Sequence, residues 1–72
     1  MTRDEAMKQF KRIYPEREVR AFVEAINPDE NGEAVNFLVT ADLPDGTYYF
    51  IVDRYSTSAS YNTAEDAKRS IK

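Results

Sequence analysis

The sequence predicts an α+β domain: an N-terminal helix, a three-stranded antiparallel sheet and a short C-terminal helix. Three observations carry this. A capping pattern at Thr2-Arg3-Asp4-Glu5 opens a run with helical apolar spacing. The middle of the chain alternates apolar and polar residues between turn clusters. A second capping signal at Asn62 precedes a short closing run. The 72 residues are 42% hydrophobic and 32% charged, so residues 1–72 are expected to fold as one small domain.

The first helix is expected from about Arg3, with the hydroxyl of Thr2 at the N-cap and the carboxylate of Glu5 three residues on. Ala6, Phe10 and Ile13, flanked by Met7 and Tyr14, form its apolar stripe. Pro15 ends it, because proline lacks a backbone donor and drives Tyr14 out of the helical region.

Residues 16–26 admit two readings. As a strand, Val19, Ala21, Val23 and Ala25 share one face and Glu18, Arg20, Phe22, Glu24 and Ile26 the other. As a second helix, Val19, Phe22, Val23 and Ile26 line one side, and only a two-stranded hairpin remains downstream. The strand is preferred, because two strands alone are marginal in water and a third gives the helix a sheet to cover.

Asn27-Pro28-Asp29-Glu30-Asn31-Gly32 is a turn cluster, followed by a strand in which Val35, Phe37, Val39 and Ala41 alternate with Asn36, Leu38 and Thr40. Leu43-Pro44-Asp45-Gly46 suits a tight hairpin turn. Thr47 to Tyr55 is the most β-prone run and the expected central or best-buried strand. Ser56 to Ser60 reads as a loop, or as a short edge strand through Tyr61. The closing helix is expected to be capped by Asn62, with Ala64, Ala67 and Ile71 as a thin apolar stripe and Lys68, Arg69 and Lys72 at its negative pole.

This order of elements resembles the PepSY-type module, and also short uncharacterised bacterial and prophage proteins of the same plan. The residues that carry the resemblance are the helix ending in Tyr14-Pro15, the strand at Val19 to Ile26, then Val35-Asn36-Phe37-Leu38-Val39 and Tyr49-Phe50-Ile51-Val52-Asp53. It covers about residues 6–55. It implies a helix packed on an antiparallel sheet and a role in inhibiting or regulating a peptidase by binding. The chain departs from the pattern where Arg54-Tyr55-Ser56 replaces the usual Thr-Gly after the strand-ending Asp, and no secretory context is expected for it.

Charge is unevenly distributed. The net charge of −3 divides into +2 over residues 1–20, −7 over 21–53, where there is no Lys or Arg, and +2 over 54–72. A one-signed block attracts basic surfaces and repels nucleic acid and anionic lipid, although turns are rich in Asp and Glu for local reasons as well.

Without Cys or His, the sequence excludes disulfides, thiol or imidazole nucleophiles and the usual zinc and haem ligand sets. Asn27, Asp29, Asn31 and Gly32 match positions one, three, five and six of a calcium loop, but Leu38 stands where a bidentate Glu is required. Asp29, Glu30 and Glu33 are neighbouring carboxylates in a loop, with nothing expected to separate their pKa values. Ser56, Ser58 and Ser60 have no neighbouring base. No catalytic residue, metal or cofactor is therefore expected, and the chain is not expected to be an enzyme.

Nine aromatics exceed what so small a core must hold. On the last strand Tyr48, Phe50 and Val52 face one way and Tyr49, Ile51 and Tyr55 the other. The face left by the first helix, with Phe22, Ile26 and Leu38, is expected either to be an open patch or to be covered by the closing helix or a second copy. The expected binding surface is acidic and aromatic: Glu24, Asp29, Glu30, Glu33, Asp42, Asp45, Asp53, Tyr49 and Tyr55, for a protein partner with a basic surface. Direct nucleic-acid and membrane binding are not expected, and a cytoplasmic location is. The leading functional expectation is a phage or mobile-element inhibitor of a host nucleic-acid-handling defence complex, of the anti-CRISPR or antirestriction type. The alternative is a PepSY-like inhibitor or regulator of a peptidase.

Overall fold

The computed structural model describes residues 1–13 and 20–71. Its elements are α1 (Arg3–Ile13), β1 (Arg20–Ile26), β2 (Asn36–Leu43), β3 (Gly46–Val52) and α2 (Ala64–Arg69), and the antiparallel sheet has the order β1-β2-β3. No helix of the described residues is long and apolar enough to cross a membrane.

The capping box at the start of α1 forms reciprocally. Thr2 N donates to Glu5 Oε1 at 2.9 Å and Glu5 N to Thr2 Oγ1 at 3.3 Å. The Thr2 amide holds the Glu5 carboxyl below its ordinary pKa, because the bond favours the charged form. The buried stripe is Ala6, Gln9 and Phe10, and Ile13 is exposed. The expected stripe is thus wrong at its end. Ile13 lies in the last turn, past the cluster that encloses Phe10, while Gln9 is tolerated inside because its Oε1 accepts from Arg12. Tyr14, Pro15, Val19 and the expected end of the helix lie outside the described residues.

β1 is a strand. Val23 is buried beneath α1, with Ala21 and Ala25 packed beside it, so the residues share a face at a period of two. β2 is the central strand, correcting the expectation for β3, since two sequential hairpin connections place the middle strand of the chain in the middle of the sheet. Val35, expected as its first inward residue, lies before the strand and is 77% exposed. The hairpin closes at the Leu43–Gly46 pair, and Gly46 adopts φ 147°, which favours glycine.

β3 stops at Val52 rather than Tyr55. Asp53 Oδ1 accepts the amides of Tyr55 and Ser56 at 2.8 and 2.7 Å, folding the chain back before a further strand residue can pair. The serine segment then returns along the outer edge of β3. Tyr49 and Tyr61 exchange two backbone bonds (2.9 and 2.7 Å), and Ile51 and Ser58 exchange two more, one through the Ser58 hydroxyl.

The sheet carries a core on each face. Ala6 and Phe10 of α1 pack on Val23, Phe37, Val39, Ala41, Phe50 and Val52, with the Phe10 and Phe50 rings edge to face at 5.0 Å. Ala67 of α2 packs on Leu38 and Ile51, with Ile26, Tyr49, Tyr61 and Ile71 around them. The closing helix therefore covers Leu38 and Ile26, while Phe22 stays open at 68% exposure. The N-cap of α2 is Thr63, not Asn62: Thr63 Oγ1 accepts from Asp66 N at 3.1 Å.

Candidate binding surface

The seven acids of the middle block do not form one patch. β2 runs eight residues from Asn36 to Leu43, which at strand rise separates the two ends of the sheet by roughly 23 Å. Asp29, Glu30, Glu33 and Asp53 belong to the end formed by the β1–β2 loop and the exit from β3, whereas Asp42 and Asp45 belong to the opposite, β2–β3 hairpin end. Glu24 is exposed on β1.

Four of these carboxylates organise turns. Asp29 Oδ1 accepts from Asn31 N and Glu33 N at 2.9 and 3.0 Å, and its own backbone pairs with Glu33 and Gly32. Asp42 accepts from the Thr47 hydroxyl at 2.9 Å, and Asp45 from the Tyr48 hydroxyl at 3.0 Å. Asp53 holds the Tyr55–Ser56 turn. The loop that mimics calcium spacing is thus drawn together by backbone amides on Asp29, with Gly32 at φ 80°. The described residues hold no group of three or more acids placed to grip a metal ion. Glu24, Glu30 and Glu33 use their carboxylates for no such bond among the described residues.

The two expected aromatic contacts part company. Tyr49 is half-buried, packed in the α2 cluster and paired with Tyr61. Tyr55 is 86% exposed and stands beside Asp53. It borders a groove of about 330 Å³ lined by Met1, Ala34, Val35, Asp53, Arg54 and Tyr55. A second depression, lined by Met1, Asn27, Asp29, Glu33, Ala34 and Val35, adjoins it across Val35. Ala34 N donates to Met1 O at 3.1 Å, which ties the N-terminal residue into this end. The surface brought together is therefore apolar at Val35 and Tyr55 and rimmed by Asp29, Glu33 and Asp53, with Arg54 interspersed as a cation.

Val35 and Arg54 are the residues that sequence reasoning missed. Val35 continues the alternating pattern of the strand behind it, and only the loop's attachment to Met1 reveals that it faces outward. No family model, curated protein or solved structure matches the chain.

Proposed function

We propose that this chain is a non-enzymatic protein-binding module that docks through the end of its sheet onto a basic surface of another protein. The observation that carries the reading is two large apolar side chains, Val35 and Tyr55, exposed at 77% and 86% within one acid-rimmed end. Burying such side chains yields roughly 1.5–3 kcal/mol each. Carboxylates around them steer the encounter and fix its register.

The biological form that fits this chemistry is an inhibitor that occupies a basic nucleic-acid channel of a host defence complex, encoded by a phage or mobile element. Its support is the sign of the charge and the apolar centre. The test compares capture from host lysate by the wild-type chain and by a variant combining Glu30→Lys, Glu33→Lys and Tyr55→Ala. The expected partner is retained by the wild type alone, handles nucleic acid, and loses that nucleic acid when the chain is added. A partner retained equally by both forms would sink the surface assignment. A peptidase retained by the wild type alone, and inhibited by it, would replace the nucleic-acid setting with the PepSY-like one.

A further inference from the structure

The outer edge of β1 is unpaired among the described residues, whereas that of β3 is covered by residues 57–61. Which backbone groups that edge presents follows from the hydrogen bonds on the far side of the sheet. Tyr49 spends both its amide and its carbonyl on Tyr61, so neither points to β2. Its cross-strand neighbour Thr40 must then point its own groups toward β1, where it meets Phe22. Phe22 is thereby satisfied inward, and alternation leaves Ala21, Val23 and Ala25 with amides and carbonyls directed outward.

A bare edge of this kind templates another strand, and β1 has no Pro, Gly or Lys to blunt it. Its side chains select the partner. Arg20, Phe22 and Glu24 share the face opposite α1, with Phe22 midway and 68% exposed. Antiparallel pairing of β1 with itself about an axis at Phe22 sets Arg20 opposite Glu24 of the second copy and Glu24 opposite its Arg20. The two phenylalanines meet at the axis. Ala21 and Val23, the residues with outward groups, then face each other and close two pairs of backbone bonds. Shifting the axis to Val23 also satisfies the backbone, but sets Phe22 against Glu24 and Arg20 against Ile26. Opposite charges stabilise such cross-strand pairs and like charges destabilise them, so the charges decide the register.

We propose that β1 is a homodimerisation edge: two copies pair antiparallel about a two-fold axis at Phe22, giving a continuous six-stranded sheet locked by two Arg20–Glu24 pairs. Such an interface is isologous, as two-fold dimers require. It is smaller than a standard interface of about 800 Å² per partner, so the dimer dissociates on dilution.

Sedimentation equilibrium of the full chain, from about ten micromolar to about one millimolar, tests this. The wild type is expected to pass from monomer to dimer across that range. Arg20→Glu and Glu24→Arg each place like charges opposite one another twice, and each alone should weaken dimerisation roughly tenfold or more. Mixed in equal amounts, the two variants should recover a heterodimer at wild-type strength, as should the double exchange on one chain. Both residues are exposed, and Arg20 also lies opposite Asp42 in the sheet, so Arg20→Glu costs a little stability while Glu24→Arg does not meet an acid; circular dichroism checks that each variant is folded at the concentrations used. Glu30→Lys with Glu33→Lys should leave the dimer unchanged, separating this edge from the proposed docking end. A wild type that stays monomeric throughout, a single variant that dimerises as the wild type does, or a mixture that fails to pair overturns the proposal.

Discussion

Aspartate at a turn and glutamate beside it carry the same charge but do different work. Asp29 accepts two backbone amides on one oxygen, while the neighbouring Glu30 is exposed and points no such bond inward. Asp29→Ala should therefore cost about 1 kcal/mol in urea unfolding, since two donors lose their acceptor, and Glu30→Ala should stay within about 0.5 kcal/mol. Equal losses would mean that the turn is held by its backbone bonds alone. The distinction governs any test of the charge: reversing Asp29 would disturb the loop, whereas Glu30 and Glu33 can be reversed with the turn intact. At the N-terminus, Glu5 has its carboxyl pKa lowered, first by the Thr2 amide and then by the Thr2 hydroxyl. A depressed folded pKa contributes stability that is present above the unfolded value of 4.5 and is lost as pH falls through the folded one. Glu5→Gln should accordingly flatten the stability profile below about pH 4.5 and leave its slope at neutral pH unaltered. An identical acid limb in the variant would remove Glu5 from the set of acid-sensitive groups.

Elements differ in how openly their boundaries are written. The type of β1 was legible because period-two spacing of Ala21, Val23 and Ala25 agreed with the need for a third strand, and the structure keeps all three on the α1 side. The ends were less legible, because hydrogen bonds that reach across only two or three residues decide them. Asp53 stops β3 by capturing the amides of Tyr55 and Ser56, although Tyr55 has strong strand propensity. Val35 reads as strand by alternation and sits instead in a loop drawn toward Met1, a long-range contact that no local pattern encodes. Much of the candidate surface was hidden for the same reason, since it is composed of residues just outside the strands. The start of α2 shows the smallest such shift. Asn62 and Thr63 are both competent caps, but only Thr63 lies three residues before an amide that its hydroxyl reaches, that of Asp66. Thr63→Ala should cost about 1 kcal/mol and reduce helical signal, while Asn62→Ala should cost only a few tenths. The reverse order in thermal melts would place the cap at Asn62.

At the scale of the whole molecule, the two faces of the sheet are unequal. The α1 face buries three phenylalanines, Val39 of β2, Val52 of β3 and Val23 of β1 around one edge-to-face ring pair. The α2 face is closed by a helix of six residues of which Ala67 alone is buried. A domain of 72 residues has a total stability of roughly 4–11 kcal/mol, and truncating a buried Phe costs about 3–5 kcal/mol, so Phe50→Ala should remove from about a quarter of that stability to all of it. A helix of six residues cannot persist alone, because isolated helices shorter than about 12–15 residues are marginal. Its docking therefore rests on contacts with Leu38, Ile51 and the tyrosines beside them. From this asymmetry α2 should open as a separate unit, at a free energy below that of global unfolding. Native-state hydrogen exchange should then show the α2 amides protected less than those of Val39 and Phe50. Ile71→Ala should lower protection in α2 further while leaving the β2–β3 amides at the global value. Phe10→Ala should instead lower protection throughout, because the α1 core is what the sheet stands on. If α2 and β2 amides exchange at one common free energy in the wild type and fall together in Ile71→Ala, the two faces form a single cooperative unit, and the short helix is as integral to the fold as the long one.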